Sequence, residues 1–276
     1  MNNNFIKSPI NYSGNKYKLL EQMIELFPKD IKTFVDVCGG SFTVGLNVQA
    51  DNVIYNEIDT RIANIVKYLC ESDYELENNQ MQEIIKEYGL GKNTKEEYTS
   101  LRNTYNENPS DILLFLLSCF SFNYQIRFNG KGQFNMPCGN RGYSKNMQLN
   151  YELFNKRAKE KQINFFNKDF KDLELNKDCF VYIDPPYLQT IATYTEGSAW
   201  NLDKEQEMYQ WLDKLSEQGI KWALSNTIKY RGEGNEVLQE WSNKYNVHKL
   251  DFTYKNNNRW NKDNSLETIE VLITNY

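Results

Sequence analysis

Histidine is almost missing: one in 276 residues leaves His248 as the single possible imidazole ligand, and its strand-like surroundings suit a structural role. The five cysteines (Cys38, Cys70, Cys119, Cys138, Cys179) are scattered without a C-x-x-C pair, so no zinc site or disulfide framework is expected and a reducing cytosol fits. Long apolar runs are lacking too. The longest, Ile112 to Phe122, is far too short to span a bilayer. Met1 to Lys7 opens on asparagines without the apolar segment of a secretory signal. Positive charge is in deficit, and a net charge of −5 argues against a protein that simply coats nucleic acid.

The basic residues are unevenly spread. From Asn123 to Lys161 eight basic residues (Arg127, Lys131, Arg141, Lys145, Lys156, Arg157, Lys159, Lys161) face two acidic ones, Glu152 and Glu160. Interleaved with Tyr124, Phe128, Phe134 and Tyr143, they form a candidate phosphate-facing surface. The Lys156 to Lys161 cluster taken alone reads as a solvated helix face.

The length suits one large α/β domain, or a core domain with an insertion. Apolar spacing predicts a helix over Lys16 to Phe27, a strand over Thr33 to Val37, a helical stretch through Asn47 and a strand from Asn52 to Tyr55. A helix carrying Ile62, Ile65, Val66 and Leu69 follows. Residues 75 to 160 break the alternation. Helices are expected near Met81 to Tyr88 and over Lys95 to Asn106, the second opened by a Thr94-x-x-Glu97 capping box. Asp111 to Phe122 reads as a buried helix. Asn129-Gly130-Lys131-Gly132 between Tyr124–Phe128 and Gln133–Met136 signals a hairpin. Alternation resumes with strands Ile163–Phe166 and Phe180–Ile183, helix Asp203–Gln218, strand Lys221–Leu224, and terminal strands Val247–Tyr254 and Thr268–Thr274. That ending favours a methyltransferase-type sheet over a dinucleotide-binding dehydrogenase.

Phe34-Val35-Asp36-Val37-Cys38-Gly39-Gly40-Ser41 is a strand, then glycines, then a helix start. Glycines let the backbone approach a ligand, and a helix N-terminus favours an anionic group. Alone, such a turn serves packing as often as binding. Glu57 lies 21 residues beyond Asp36, at the end of the next strand, where a carboxylate can bind ribose hydroxyls. The glycine spacing is not G-x-G-x-x-G, which disfavours a pyrophosphate site. Asn11 to Lys16 opens a helix and is either an ordinary cap or a place where Tyr12 and Lys16 meet a small molecule.

The most informative stretch is Asp184-Pro185-Pro186-Tyr187, after the apolar run Cys179 to Ile183. Neither proline donates a backbone N–H and each fixes its own φ, so a carboxylate and a carbonyl stay free as acceptors beside an aromatic ring. Two acceptors and a stacking surface suit an exocyclic amine on a flat base. The plain alternative is a Pro-Pro turn with Asp184 as a helix cap.

These motifs, in this order, resemble the Dam-type DNA adenine methyltransferases, the α-group of amino methyltransferases, and especially their compact phage-type members. The resemblance spans nearly the whole chain, including Ile126 to Arg141, Asp169 to Leu173, Gly219 to Asn226 and Glu240 to Val247. It implies a Rossmann-like class I methyltransferase sheet with a C-terminal antiparallel hairpin and a mostly helical insertion carrying a basic β-hairpin. Residues 1–74 and 161–276 would form the catalytic domain that binds S-adenosylmethionine, and 75–160 the target-recognition insertion. Tyr12, Lys16, Asp36, Cys38, Gly39, Gly40 and Ser41 would hold the methionine part of the donor. Glu57 or Asp59 would bind the ribose, and Asp169 and Phe170 the donor's adenine. Asp184, Pro185, Pro186 and Tyr187 would be catalytic, with Asp184 also facing the donor. Arg127, Asn129, Lys131, Pro137, Arg141 and Tyr194 would contact DNA.

The implied reaction methylates N6 of a flipped-out adenine in duplex DNA, with GATC as the leading site. It needs no metal, in a monomer or a weak dimer on DNA, in the cytoplasm of a bacterial or phage-infected cell. The sequence departs from the family pattern at Asn15, Cys38, Glu57, Cys138 and Asn140. Cytosine N4 or RNA adenine as acceptor, and a catalytically silent DNA-binding module, are the competing readings. Asparagine is usual at the Asp184 position in protein-amide enzymes.

Overall fold

Strands and helices alternate along much of the chain as the apolar spacing predicts. A computed structural model describes residues 5–12, 14–188, 200–251 and 267–276. Its elements are α1 (Leu20–Leu26), β1 (Thr33–Asp36), α2 (Thr43–Asn47), β2 (Asn52–Asn56), α3 (Thr60–Glu71), α4 (Tyr74–Tyr88), α5 (Lys95–Glu107) and α6 (Asp111–Phe120). There follow α7 (Lys145–Lys159), β3 (Gln162–Phe166), β4 (Cys179–Ile183), α8 (Leu202–Glu217), β5 (Lys221–Tyr230), β6 (Glu233–Gly234), α9 (Glu236–Ser242), β7 (Asn246–Leu250) and β8 (Ile269–Thr274). The described residues cluster in two compact units. One draws on Met1–Tyr17, Gly40–Asn47 and Glu57–Asn167, the other on Lys18–Gly39, Val48–Asn56 and Lys168–Tyr276.

In the second unit the strands run in the order β2-β1-β4-β5-β8-β7. β1 is parallel to β2 and to β4, β4 is parallel to β5, and β8 lies antiparallel between β5 and β7. This is the mostly parallel sheet with an antiparallel end expected of a class I methyltransferase. Every residue of β4 is buried, which explains its continuous rather than alternating apolar pattern. One face carries Val35, Val181, Ile183, Trp222, Leu224, Val271 and Ile273 under Met208, Tyr209, Leu212 and Leu215 of α8 and Leu238 of α9. The other carries Phe34, Phe180 and Tyr182, whose rings lie 5.0–6.0 Å from that of Phe27. β5 runs six residues past the expected Leu224. Its polar far half, Ser225 to Lys229, is held as strand by pairing with β8.

In the first unit α3 packs on α6 and α7, and α5 on α4 and α6. α6 is apolar almost all round and buried from Leu114 to Phe120, as read. α4 begins earlier than predicted because the Asp73 side chain accepts from the Leu76 N–H, and Gly89 at φ 68° ends it. The capping box at Thr94 does not form. Its hydroxyl is held in the preceding turn, accepting from the Gly91 N–H (2.8 Å) and donating to the Gly91 carbonyl (3.0 Å). The predicted hairpin closes through one antiparallel bridge, Phe128 with Phe134, flanked by Asn135 N–H to Arg127 carbonyl at 3.0 Å. Phe122–Tyr124 is a 3-10 turn, so the hairpin arm is shorter than expected.

Candidate active site

In the second unit, β1 and β4 end side by side, with Asp36 opposite Tyr182 and Asp184 two residues on. Ligands of open α/β sheets bind at such carboxyl ends. Asn56 braces this edge. Its Nδ2 donates to the carbonyls of Val37 (2.9 Å) and Lys168 (3.0 Å), and its Oδ1 accepts from the Lys168 N–H (3.0 Å). The Gly39 N–H donates to the Asn56 carbonyl at 2.8 Å. Asp169, next to that brace, accepts from the Lys171 N–H and pairs with Lys204 at 3.1 Å. Phe170 is a buried ring, edge-on to Trp211 at 5.2 Å.

At the end of β4, Pro185 is buried, Pro186 exposed and Asp184 half-buried. The Tyr187 hydroxyl donates to Asp184 Oδ1 at 3.0 Å and lies 3.4 Å from Glu270 Oε2 on β8. Burial, then the charges of Asp184 and Glu270, push the Tyr187 phenol well above its ordinary range. Asn226 on β5 is fully buried. Its Oδ1 accepts from the Thr227 N–H, and its Nδ2 alone among the described buried side-chain polar atoms has no partner. Reasoning from sequence singled out neither Asn56 nor Glu270 at this edge. The only signal for Glu270 was a lone acid in the apolar run Ile269–Thr274.

In the first unit, Gly40 takes φ +46°, and a Cβ there would stand 3.0 Å from the Tyr12 ring. The Gly40 N–H donates to Glu57 Oε2 and the Asp59 N–H to Oε1, both at 3.0 Å. Burial raises the Glu57 carboxyl against these backbone donors. Asp59 is committed elsewhere. Both its oxygens take Arg61 (2.9 and 2.7 Å), whose hydrogen bonds and charge hold it below its ordinary value although burial opposes them. Lys16 is buried, with Nζ donating to the Gly14 carbonyl at 2.7 Å. Asn15, a departure from the family pattern, bonds Ser41 Oγ (3.1 Å), Thr43 Oγ1 (2.9 Å) and the Tyr17 N–H (2.8 Å). Its side chain thereby ties the N-terminal turn to the start of α2.

Of the DNA-facing candidates, Arg127, Lys131, Pro137 and Arg141 are exposed. Arg127 is folded onto its own hairpin, donating to Asn135 Oδ1 (2.9 Å) and carbonyl (3.2 Å). Asn129 Oδ1 accepts from the Lys131 and Gln133 N–H groups at 3.0 Å and shapes the turn. The Arg141 guanidinium lies 5.3 Å from the Tyr124 ring centroid. Arg61, which sequence reasoning missed, sits 3.7 Å over the Phe128 ring. Tyr194 lies outside the described residues. Among the described residues no cluster of His, Cys, Asp or Glu could hold a metal ion, and no helix is long and apolar enough to cross a membrane.

The chain is 41% identical over 285 residues to modification methylase StsI of Streptococcus sanguinis, covering 99% of this chain and 43% of that protein. It is 38% identical over 283 residues to type II methyltransferase M.FokI of Planomicrobium okeanokoites, covering 99% and 43%. It thus spans less than half the length of these relatives. A DNA adenine methylase of Vibrio cholerae is 26% identical over 228 residues, covering 79% of this chain and 80% of that protein. The model of one family, D12 class N6 adenine-specific DNA methyltransferase, matches residues 12–256. The chain belongs to that family.

Proposed function

We propose that this chain transfers a methyl group from S-adenosylmethionine to N6 of an adenine flipped out of duplex DNA. The observation that carries the reading is Asp184-Pro185-Pro186-Tyr187 at the carboxyl end of β4, with Asp184 half-exposed and the Tyr187 hydroxyl on it. The donor set fits S-adenosylmethionine by charge: Lys16 for its carboxylate, Asp36 for its amino group and Glu57 for the ribose hydroxyls. Glu57 is favoured over Asp59 there because the Asp59 charge is paired with Arg61 through both oxygens, whereas the Glu57 oxygens accept backbone N–H groups. Tyr12, Cys38, Gly39, Gly40 and Ser41 would hold the methionine part of the donor, and Asp169 and Phe170 would flank its adenine. Bound S-adenosylmethionine supplies a sulfonium methyl already activated toward an amine.

The adenine amine is a poor nucleophile because its lone pair is delocalised into the ring. Asp184 and the Pro185 carbonyl accept its two hydrogens, draw the nitrogen toward tetrahedral geometry and localise that lone pair. As positive charge builds on nitrogen, the Asp184 carboxylate stabilises it. Tyr187 offers the ring on which the flipped base stacks. Residues 1–74 and 161–276 carry the donor and the chemistry. Residues 75–160 read the duplex, with Arg127, Asn129, Lys131, Pro137, Arg141 and Tyr194 facing it, and GATC is the first site to test. The relatives' names favour a role in restriction-modification. Single-molecule sequencing of DNA from cells expressing the chain tests all of this. N6-methyladenine in one motif supports the reading and reveals the site. N4-methylcytosine, or an unmodified genome beside folded, donor-binding protein, overturns it.

A further inference from the structure

We infer that Glu270 is a positioning residue for the acceptor amine: it takes over the Tyr187 hydroxyl when a base enters, and so releases Asp184. The inference rests on the reading of Asp184 as the group that accepts the amine. Its basis is one phenol between two carboxylates on the same sheet edge. The hydroxyl is 3.0 Å from Asp184 Oδ1 and 3.4 Å from Glu270 Oε2. A phenol has a single proton and donates to one of them at a time. In the structure the shorter contact is to Asp184, the oxygen acceptor that the amine needs. A carboxylate already accepting a phenol has less charge to share with a second donor, so the Tyr187 hydroxyl partly masks Asp184.

The release needs no movement of the ring. Rotation about the Cζ–Oη bond carries the proton from Asp184 to Glu270 while the ring keeps its place for stacking. Glu270 is fixed for this role. It sits within β8, opposite Thr227 in the β5 pairing, and is only 7% exposed. A hydroxyl within reach of both carboxylates lets two states interconvert with little difference in free energy.

The test is steady-state kinetics of the full chain on a duplex carrying the site found by sequencing, with donor binding by calorimetry to show that each variant is folded. Glu270→Met keeps the side-chain length and removes the acceptor, so the hydroxyl stays on Asp184. KM for DNA rises about tenfold, the worth of one hydrogen bond. In the Tyr187→Phe background the phenol is gone, and Glu270→Met has no further effect beyond about twofold. Glu270→Gln serves if the methionine variant does not fold. Its weaker carbonyl acceptor raises KM about threefold with Tyr187 in place and not at all in the Tyr187→Phe background. Penalties that multiply across the two positions overturn the inference and leave Glu270 a packing residue. A wild-type chain that binds donor but methylates no adenine overturns the functional reading, and the inference falls with it.

Discussion

Gly39 lies against the face of Tyr55 so closely that a Cβ would stand 2.3 Å from the ring's Cε2. Tyr55 is fully buried in β2 and cannot move aside. The first glycine of the turn is therefore required by the protein's own packing. Gly39→Ala is expected to lower stability by about 1–3 kcal/mol, as overpacking does, seen as a lower thermal midpoint. Tyr55→Leu in the same chain removes the ring and should restore part of that loss. An unchanged midpoint for Gly39→Ala would mean that the turn shifts freely.

Arg127 staples the hairpin through Asn135 and, on the proposed reading, offers its remaining donors to a guanine edge. Arg127→Ala should relax discrimination at one base pair, by about 1–3 kcal/mol, measured as relative kcat/KM over a library of single-base variants of the site. Asn135→Ala separates the two roles, because it loosens the staple and spares the guanidinium. Equal losses at every sequence in both variants would make Arg127 a structural residue or a phosphate contact.

The parts of the fold set by local apolar pattern were legible: buried β1 and β4, the α3 face of Ile62, Ile65, Val66 and Leu69, and the all-apolar α6. Asp184 to Tyr187 stood out in the sequence because two prolines after an acid cannot donate backbone N–H groups, and their catalytic role is part of the proposed reading. Contacts between distant segments were not. The far half of β5 is polar and becomes strand only through β8. Thr94 had the right sequence for a cap, but a nearer partner, Gly91, took its hydroxyl. Arg61 over Phe128 and Glu270 beside Tyr187 join residues that no spacing rule relates. The role of Asn15 in tying Ser41 and Thr43 was hidden for the same reason.

Lys161, just before β3, is pushed down to about 8 by burial first and by the nearby Arg157 second. Its folded value lies below its unfolded one, so the native state disfavours the proton. The resulting cost to stability is fully present below pH 8 and fades as pH rises from there toward the unfolded value near 10.4. Lys161→Met should therefore be more stable than the wild type at pH 7, by an amount that shrinks between pH 8 and 10. Denaturant titrations across that range check the sign. A constant difference at all pH values would assign the effect to packing.

On the proposed reading the chemistry turns on Asp184, and its removal should separate binding from transfer. Asp184→Ala should cut transfer by at least about a hundredfold, the scale of losing one charge-stabilising group, while calorimetric donor binding survives. Asp184→Asn keeps an acceptor oxygen but not the charge, so it should bind flipped adenine and still transfer slowly. That outcome would assign the rate to stabilisation of the developing ammonium rather than to holding the base. The Tyr187 phenol, raised well above its ordinary range, stays protonated across the working pH. No titration of Tyr187 should therefore appear in the pH profile of kcat at neutral pH, with or without Asp184. Near wild-type turnover in Asp184→Ala would remove Asp184 from the mechanism and, with it, the reading of this edge as the acceptor site.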